Sequence, residues 1–149
     1  MNVTITLRDI TRANWRECIS LETTPEQHHF VAPNAISLAQ AAYETEWMPR
    51  AIYADEVMVG FVMYGLSREE PVYWIMRLMV DAQHQGKGYG RAAMEEVLRG
   101  LKRQPDCAQL AISYEPENGG ARALYLSLGF RETGEVLYGE TVARMPVSR

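Results

Sequence analysis

The sequence predicts a single mixed α/β domain spanning residues 1–149, and three observations point to it. Runs with strand-like alternation or β-branched and aromatic residues interleave with amphipathic helical runs from one end of the chain to the other. Hydrophobic residues make up 47% and charged residues 23%, which supplies a core and argues against disorder. No repeat, low-complexity tract or long linker divides the 149 residues, a length that suits one domain.

The elements follow in order. Residues 3–8 alternate apolar and polar, as a half-buried strand does. Thr11 can cap a helix carrying Trp15, Cys18, Ile19 and Glu22, which Pro25 and the polar residues 26–29 break. Ser37 and Gln40 suggest a capping box for a second helix over residues 38–43, and residues 47–50 lead out through Pro49. Three strands are expected next. Residues 51–54 precede a turn at Asp55 and Glu56, residues 57–64 hold Gly60 at a suspected bulge, and residues 72–80 are apolar enough for a strand covered on both faces. A loop over 81–90 leads to a helix over 91–103, where Ala93, Val97 and Leu101 recur every fourth position. A strand at 108–114 precedes a short helix at 118–128, closed by Gly129. Residues 130–137 and 140–145 form a hairpin about Tyr138 and Gly139. The predicted order is β-α-α-β-β-β-α-β-α-β-β.

Composition narrows the function classes. Lys and Arg number 15 against 19 Asp and Glu, a formal charge of −4, which argues against a general nucleic-acid binder. No run approaches the roughly 18 apolar residues of a membrane span. Residues 1–8 lack the basic start and apolar run of a secretory signal. The two cysteines, Cys18 and Cys107, are too few for a disulfide scaffold and sit in no metal-ligand spacing. The expectation is a cytoplasmic, thiol-reduced protein with no metal.

The most informative segment runs from Val80 to Arg91, where a strand enters a loop containing Gly86, Gly88 and Gly90 and the loop opens a helix. Backbone without Cβ atoms approaches an anion closely, and convergent N–H groups at a helix start suit a pyrophosphate. Lys87 and Arg91 can add charge-assisted contacts. The bare pattern equally fits a tight strand-to-helix turn with no ligand. A dinucleotide-binding loop would normally follow the first strand, and a Walker loop would end in Gly-Lys-Ser/Thr.

Two motifs carry a resemblance. Gln85-Gly86-Lys87-Gly88-Tyr89-Gly90 resembles the Gln/Arg-x-x-Gly-x-Gly/Ala signature of the GCN5-related N-acetyltransferase (GNAT) superfamily. The stretch Asn118-Gly119-Gly120-Ala121-Arg122-Ala123-Leu124-Tyr125-Leu126-Ser127-Leu128-Gly129-Phe130 resembles the family's second signature, in the family's order and at a family-like separation. Together they cover roughly the C-terminal half, and the element order fits the remainder.

The resemblance implies acetyl-coenzyme A as cosubstrate and an amine as acceptor. It implies a pyrophosphate held on the backbone of Gln85, Gly86, Lys87, Gly88, Tyr89 and Gly90, with Arg91 alongside. A pantetheine arm is expected to pair with the main chain of Leu78, Met79 and Val80. A backbone N–H near Met79 or Val80 would hold the developing oxyanion. Asn118 is expected to bond the pantetheine arm, and it also suits a helix N-cap. Tyr125 matches the family tyrosine that protonates the departing thiolate, although a core role fits its helical position too.

The acceptor must attack as a neutral amine. Deprotonating an alkylammonium of pKa about 10.4 at pH 7 costs about 4 to 5 kcal/mol, so a base helps. Many family members place a glutamate on the strand before the glycine loop. Here that strand reads Tyr73-Trp74-Ile75-Met76-Arg77-Leu78-Met79-Val80 and holds no acid. Glu115, just past the next strand, is the first candidate, and a solvated loop acid is the equal alternative. His84 is read as mainly structural, and Arg77 is expected to need an acidic partner if buried. Glu22, Glu26, Glu44, Glu46, Glu135 and Glu140, interleaved with Tyr43, Trp47, Tyr53 and Tyr138, would suit a linear polyamine. The chain is also similar to bacterial spermine/spermidine or diamine acetyltransferases in its Trp74-x-x-Arg77 strand and its glycine loop. A protein N-terminus or lysine, another small amine, and a non-catalytic sensor of coenzyme A are the alternatives. Family members frequently pair, and the C-terminal hairpin offers strand edges for a homodimer.

Overall fold

Seven strands form one sheet in the order β1-β2-β3-β4-β5-β7-β6 in a computed structural model that describes residues 2–148. The strands are β1 (Ile5–Asp9), β2 (Trp47–Ala54), β3 (Val57–Leu66), β4 (Tyr73–Val80), β5 (Gln109–Tyr114), β6 (Arg131–Leu137) and β7 (Glu140–Pro146). The helices are α1 (Trp15–Ser20), α2 (Asn34–Tyr43), α3 (Tyr89–Lys102) and α4 (Gly119–Ser127). The predicted element order and the mixed α/β class hold throughout. All neighbouring strands are antiparallel except β4 and β5, which are parallel and joined through α3. Among the described residues no helix is long and apolar enough to cross a membrane.

The sheet separates two cores. On one face Ile52, Val62, Ile75, Leu110 and Ile112 meet Met94, Val97 and Leu98 of α3 and Tyr125 of α4. On the other, Ala51, Tyr53, Phe61, Met63 and Met79 meet Cys18 of α1, with Leu38 and Ala41 of α2 against them. Period-two alternation along β2 and β3 is what allows the same strands to feed both faces.

Several local expectations are corrected. The second helix begins a turn earlier, at Asn34, with Pro33 at its N-cap. Ser37 therefore lies inside α2, buried, its hydroxyl without a hydrogen-bond partner among the described residues. Proline fixes its own backbone in a conformation suited to a helix entrance, and that outweighs the polar spacing that suggested a box. The first helix starts at Trp15 rather than beside Thr11, because a turn in which Asn14 Oδ1 accepts the Thr11 N–H at 2.7 Å intervenes. β2 starts at Trp47 and runs through Pro49. Its last pair with β1 joins Arg50 to Asp9, so Pro49 lies where that edge is free, and an edge tolerates proline. Gly60 adjoins a bulge rather than forming it: Ile52 pairs with Gly60 and Tyr53 with Met58, leaving Val59 as the extra residue. β4 is not covered on both faces along its length, since Met76, Arg77 and Leu78 are only half-buried.

Candidate active site

The site originates in the one parallel pair of the sheet. β4 and β5 pair only from Tyr73 with Leu110 to Ile75 with Ile112. Beyond that point β4 continues to Val80 against β3, and β5 continues to Tyr114 against β7. Met63 pairs with Arg77 and Tyr64 with Ile75, so Met76 is the extra residue of a bulge where the strands part. The gap opens into a cleft of about 1530 Å³ lined by residues of β4, the glycine loop, α4 and the β6–β7 hairpin. Residues 76–80 of β4 thus present backbone donors and acceptors that no strand pairs on the β5 side. An extended ligand chain can add to such an edge as a strand does.

The glycine loop is fastened from within. The Asp81 carboxylate accepts the Gln83 N–H at 3.2 Å and the Glu22 N–H at 2.9 Å. The Gln85 side-chain amide donates to the Val80 carbonyl at 2.9 Å and to Gln27 Oε1 at 2.8 Å. Gly86 and Gly88 adopt φ of +80° and +81°, and Gly88 is the N-cap of α3. Their left-handed backbone is what glycine permits and L-residues resist. Left-handed glycines immediately before a helix start are the backbone conformation from which a nest of main-chain N–H groups can be built, the kind of arrangement that attracts a phosphate.

Most residues singled out in the sequence reach this cleft. Leu78, Met79, Val80, Gln85, Gly86, Gly88, Tyr89, Gly90, Arg91, Asn118 and Tyr125 all line it. Lys87 does not; it lines a smaller hollow beside Asn2 and Ile5. Arg91 donates to the Ser127 hydroxyl, which ties α3 to α4 at the rim. The Asn118 side chain accepts the Ala121 N–H at 3.2 Å and so caps α4, as its position suggested. Glu115 stands outside the cleft lining, in the turn after β5, where its carbonyl accepts the Asn118 N–H at 2.9 Å.

Tyr125 is buried, its ring 5.6 Å from that of Tyr114 and 6.3 Å from Phe130. Its hydroxyl has no hydrogen-bond partner among the described residues, and its side chain borders the cleft. Burial, and then the negative charge of Glu140, push its phenol well above the ordinary tyrosine value. It therefore holds a proton firmly at neutral pH.

Residues the sequence did not single out as catalytic complete the wall. The Ser113 hydroxyl donates to Glu140 Oε1 at 2.7 Å, and Glu140 borders the cleft from the start of β7. Arg77 projects from β4 without a carboxylate partner among the described residues: its guanidinium donates to the Met76 carbonyl at 3.0 Å and to Gln40 Oε1 at 3.3 Å. Burial pulls its pKa down, and Glu140, acting from a distance, opposes that. The cleft's carboxylates divide into two groups. Glu46 pairs with Arg68, and Glu70 and Glu135 pair with Arg144. Glu44, Glu69 and Glu140 have no arginine or lysine partner among the described residues, while Phe30, Trp47, Trp74 and Tyr138 add aromatic faces. Chain proximity could not have revealed the Ser113–Glu140 contact, because it spans 27 residues and depends on the β5–β7 register.

Comparison with known proteins agrees with this geometry. The sequence model of the Acetyltransferase (GNAT) family matches residues 6–130. A spermine/spermidine N(1)-acetyltransferase of Bacillus subtilis (strain 168) is 26% identical over 147 residues, covering 94% of this chain and 97% of that one. Among solved structures, an acetyltransferase from Thermus thermophilus superposes with a TM-score of 0.77 at 19% identity, covering 96% of this chain and 97% of that one. A spermidine N-acetyltransferase from Vibrio cholerae, solved with CoA and spermine, superposes with a TM-score of 0.74 at 16% identity, covering 94% and 92%.

Proposed function

The chain belongs to the GNAT family of acetyltransferases, and from that premise we propose that it acetylates a primary amine of a polyamine such as spermidine or spermine, using acetyl-coenzyme A. The observation that carries the cosubstrate is the parting of β4 from β5 directly above a fastened loop with two left-handed glycines. The residues present fit a coenzyme: an unpaired strand edge for an extended amide-bearing arm, and a nest of N–H groups for a pyrophosphate. Leu78, Met79 and Val80 would hold the arm, with Asn118 beside it. The loop from Gln85 to Gly90, with Arg91 at the rim, would hold the phosphates. When bound, the coenzyme supplies an acyl group activated as a thioester.

The chain's own residues do the rest. The β4 edge fixes the acyl group beside Tyr125, and a main-chain N–H near Met79 or Val80 stabilises negative charge on its oxygen. Tyr125 gives its proton to the leaving sulfur. The polyamine reading rests on likeness over nearly the whole chain to the Bacillus enzyme, and on the carboxylates and aromatic faces bordering the cleft. One observation favours a second acceptor class. Among the described residues Arg77 meets no carboxylate and its buried Nε has no partner, which would suit an amine that carries its own carboxylate, such as an amino acid.

The test is release of free thiol from acetyl-coenzyme A with spermidine, spermine, short diamines, diamino acids and peptides in parallel. Faster release with polyamines supports the proposal, and faster release with diamino acids supports the second reading. A preference for peptides would point to a protein acceptor. Coenzyme binding with no amine-dependent release would point to a sensor.

A further inference from the structure

An acetyltransferase of this architecture must take a proton from its acceptor, yet β4 offers none of the carboxylates that could do so. Among the acids on the cleft wall, Glu46, Glu70 and Glu135 are engaged by arginines, and Glu44, exposed just past α2, accepts from Trp47 Nε1 at 3.1 Å and from Gln40 through one oxygen. Glu69 is exposed, on the loop between β3 and β4. Glu140 differs from all of these. It is half-buried at the first residue of β7, immediately after the Tyr138–Gly139 turn. One of its oxygens is fixed by the Ser113 hydroxyl at 2.7 Å, which leaves its other oxygen with no partner among the described residues.

Its surroundings locate it. Ser113 belongs to β5, on the side of the gap opposite β4, and Glu140 precedes Thr141, the β7 partner of Tyr114. Arg77 of β4 and Tyr125 of α4 both border the cleft, and the negative charge of Glu140 acts to raise the pKa of each. Glu140, residues 76–80 of β4 and Tyr125 thus line one and the same cleft.

We infer that Glu140 is the catalytic base of this enzyme, held in position by Ser113 and supplied from β7. The inference rests on the acetyltransferase reading but not on which amine is the acceptor. The proton balance is simple. The acceptor's ammonium gives one proton to the Glu140 carboxylate, which passes it to solvent. The freed nitrogen pair forms the C–N bond to the acyl carbon, and the C–S bond breaks. The sulfur takes the phenolic proton of Tyr125, and the nitrogen's second proton returns through water to the phenolate. A base positioned this way commonly contributes about 10² to 10⁴ in rate.

The experiment uses the full chain with acetyl-coenzyme A and spermidine, or whichever amine of the panel gives thiol release. Glu140→Gln is compared with Glu140→Asp, Ser113→Ala and Glu115→Gln, each checked for native thermal unfolding. Steady-state rates are measured from pH 6 to 10, and acceptor affinity for the coenzyme A complex is measured by calorimetry. The expected result for Glu140→Gln is a fall in kcat of about 10²-fold, with acceptor affinity changed by less than about tenfold. Its residual kcat/KM should climb about tenfold per pH unit toward the amine's own pKa, because solvent must then remove the proton. The native profile should level off earlier, and Glu140→Asp should recover part of the rate. Ser113→Ala should lower kcat less than Glu140→Gln does.

A merely structural carboxylate would not produce that change of pH profile. Native kcat in Glu140→Gln overturns the inference. So does lost acceptor affinity with kcat retained, which would make Glu140 an anchor for the ammonium. A loss found in Glu115→Gln instead also overturns it. If the native enzyme releases no thiol with any amine, the acetyltransferase reading and the inference fall together. A normal native rate beside an unchanged variant removes the inference alone.

Discussion

Removing one oxygen at Tyr125 separates its packing from its proposed role as an acid. Its ring packs in the core beside Tyr114 and Phe130, and its side chain borders the cleft. Tyr125→Phe keeps the packing and deletes the proton, so kcat should fall by about 10²-fold while coenzyme A affinity stays near native. Steady-state kinetics beside calorimetry checks this, and an unchanged kcat would remove Tyr125 from the acid role. Gly60 offers a structural counterpart. A Cβ there would lie 2.4 Å from the Met79 carbonyl oxygen, on the backbone of the strand that borders the cleft. Gly60→Ala should therefore cost about 1 to 3 kcal/mol in urea unfolding and loosen coenzyme binding through β4. At this scale the sequence was partly legible. Tyr125 and Asn118 stand in a motif with fixed spacing, so their proximity to the glycine loop could be expected. Glu140 was legible only as one of six carboxylates suited to a polyamine; its contact with Ser113 was not, because the two are distant in sequence and meet only through strand register.

The glycine loop, taken as an element, is ordered by the protein itself. Asp81 and Gln85 fasten it to Glu22, Gln27 and Val80, which leaves Gly86 and Gly88 to set the direction of its N–H groups. An alanine at position 88 must adopt φ near +81°, although nothing crowds its Cβ. That conformation costs an L-residue roughly 1 to 2 kcal/mol. Gly88→Ala is expected to weaken coenzyme A binding by about tenfold, the equivalent of about 1.4 kcal/mol, with the cost appearing as local reorganisation of the helix start. Calorimetric titration of coenzyme A into native and variant protein measures it. Gly100→Ala, in an exposed and open helical position, serves as the control and should bind as native. The α3 helix was readable from its four-residue apolar period, and β3 and β4 from runs of apolar residues that the two-faced core requires, while β2 was read only from Ala51 onward. The entrance of α2 was not, because Pro33 sets it where the polar spacing suggested otherwise. The bulge at Met76 was also hidden: it is a mismatch between two strands and leaves no mark in either one alone.

Across the whole molecule, ionisation sets the window of stability, and its sign differs at the two ends. Burial raises the Cys18 thiol from 9.0 to about 11, and burial with a hydrogen bond to Asp106 raises the Tyr73 phenol from 10.0 to about 12. Tyr114 and Tyr125 are pushed higher still, with burial the largest cause for both. A group whose folded pKa is raised binds its proton more tightly when folded. The folded state is thus favoured below the unfolded value, and that advantage is lost as pH climbs between the unfolded and folded values. Stability should therefore begin to fall near pH 9, where Cys18 would ionise in the unfolded chain, and fall more steeply above pH 10, where the tyrosines join it. The acid limb has the opposite sign. Hydrogen bonds from Arg122 and Tyr114 hold Glu132 below the ordinary carboxylate value, and those from Arg144 and Thr133 do the same for Glu135. Their contribution is present above about pH 4.5 and disappears as pH falls through the lowered values. Both carboxylates are solvent-exposed, so this limb should be shallow and should weaken further in high salt. Urea midpoints measured from pH 3 to 11, at low and high ionic strength, test the asymmetry. The expected curve has a broad plateau, a salt-sensitive acid shoulder and a steeper, salt-insensitive alkaline edge. An alkaline edge that Cys18→Ala leaves in place and that begins only above pH 10 would assign the loss to the tyrosines alone.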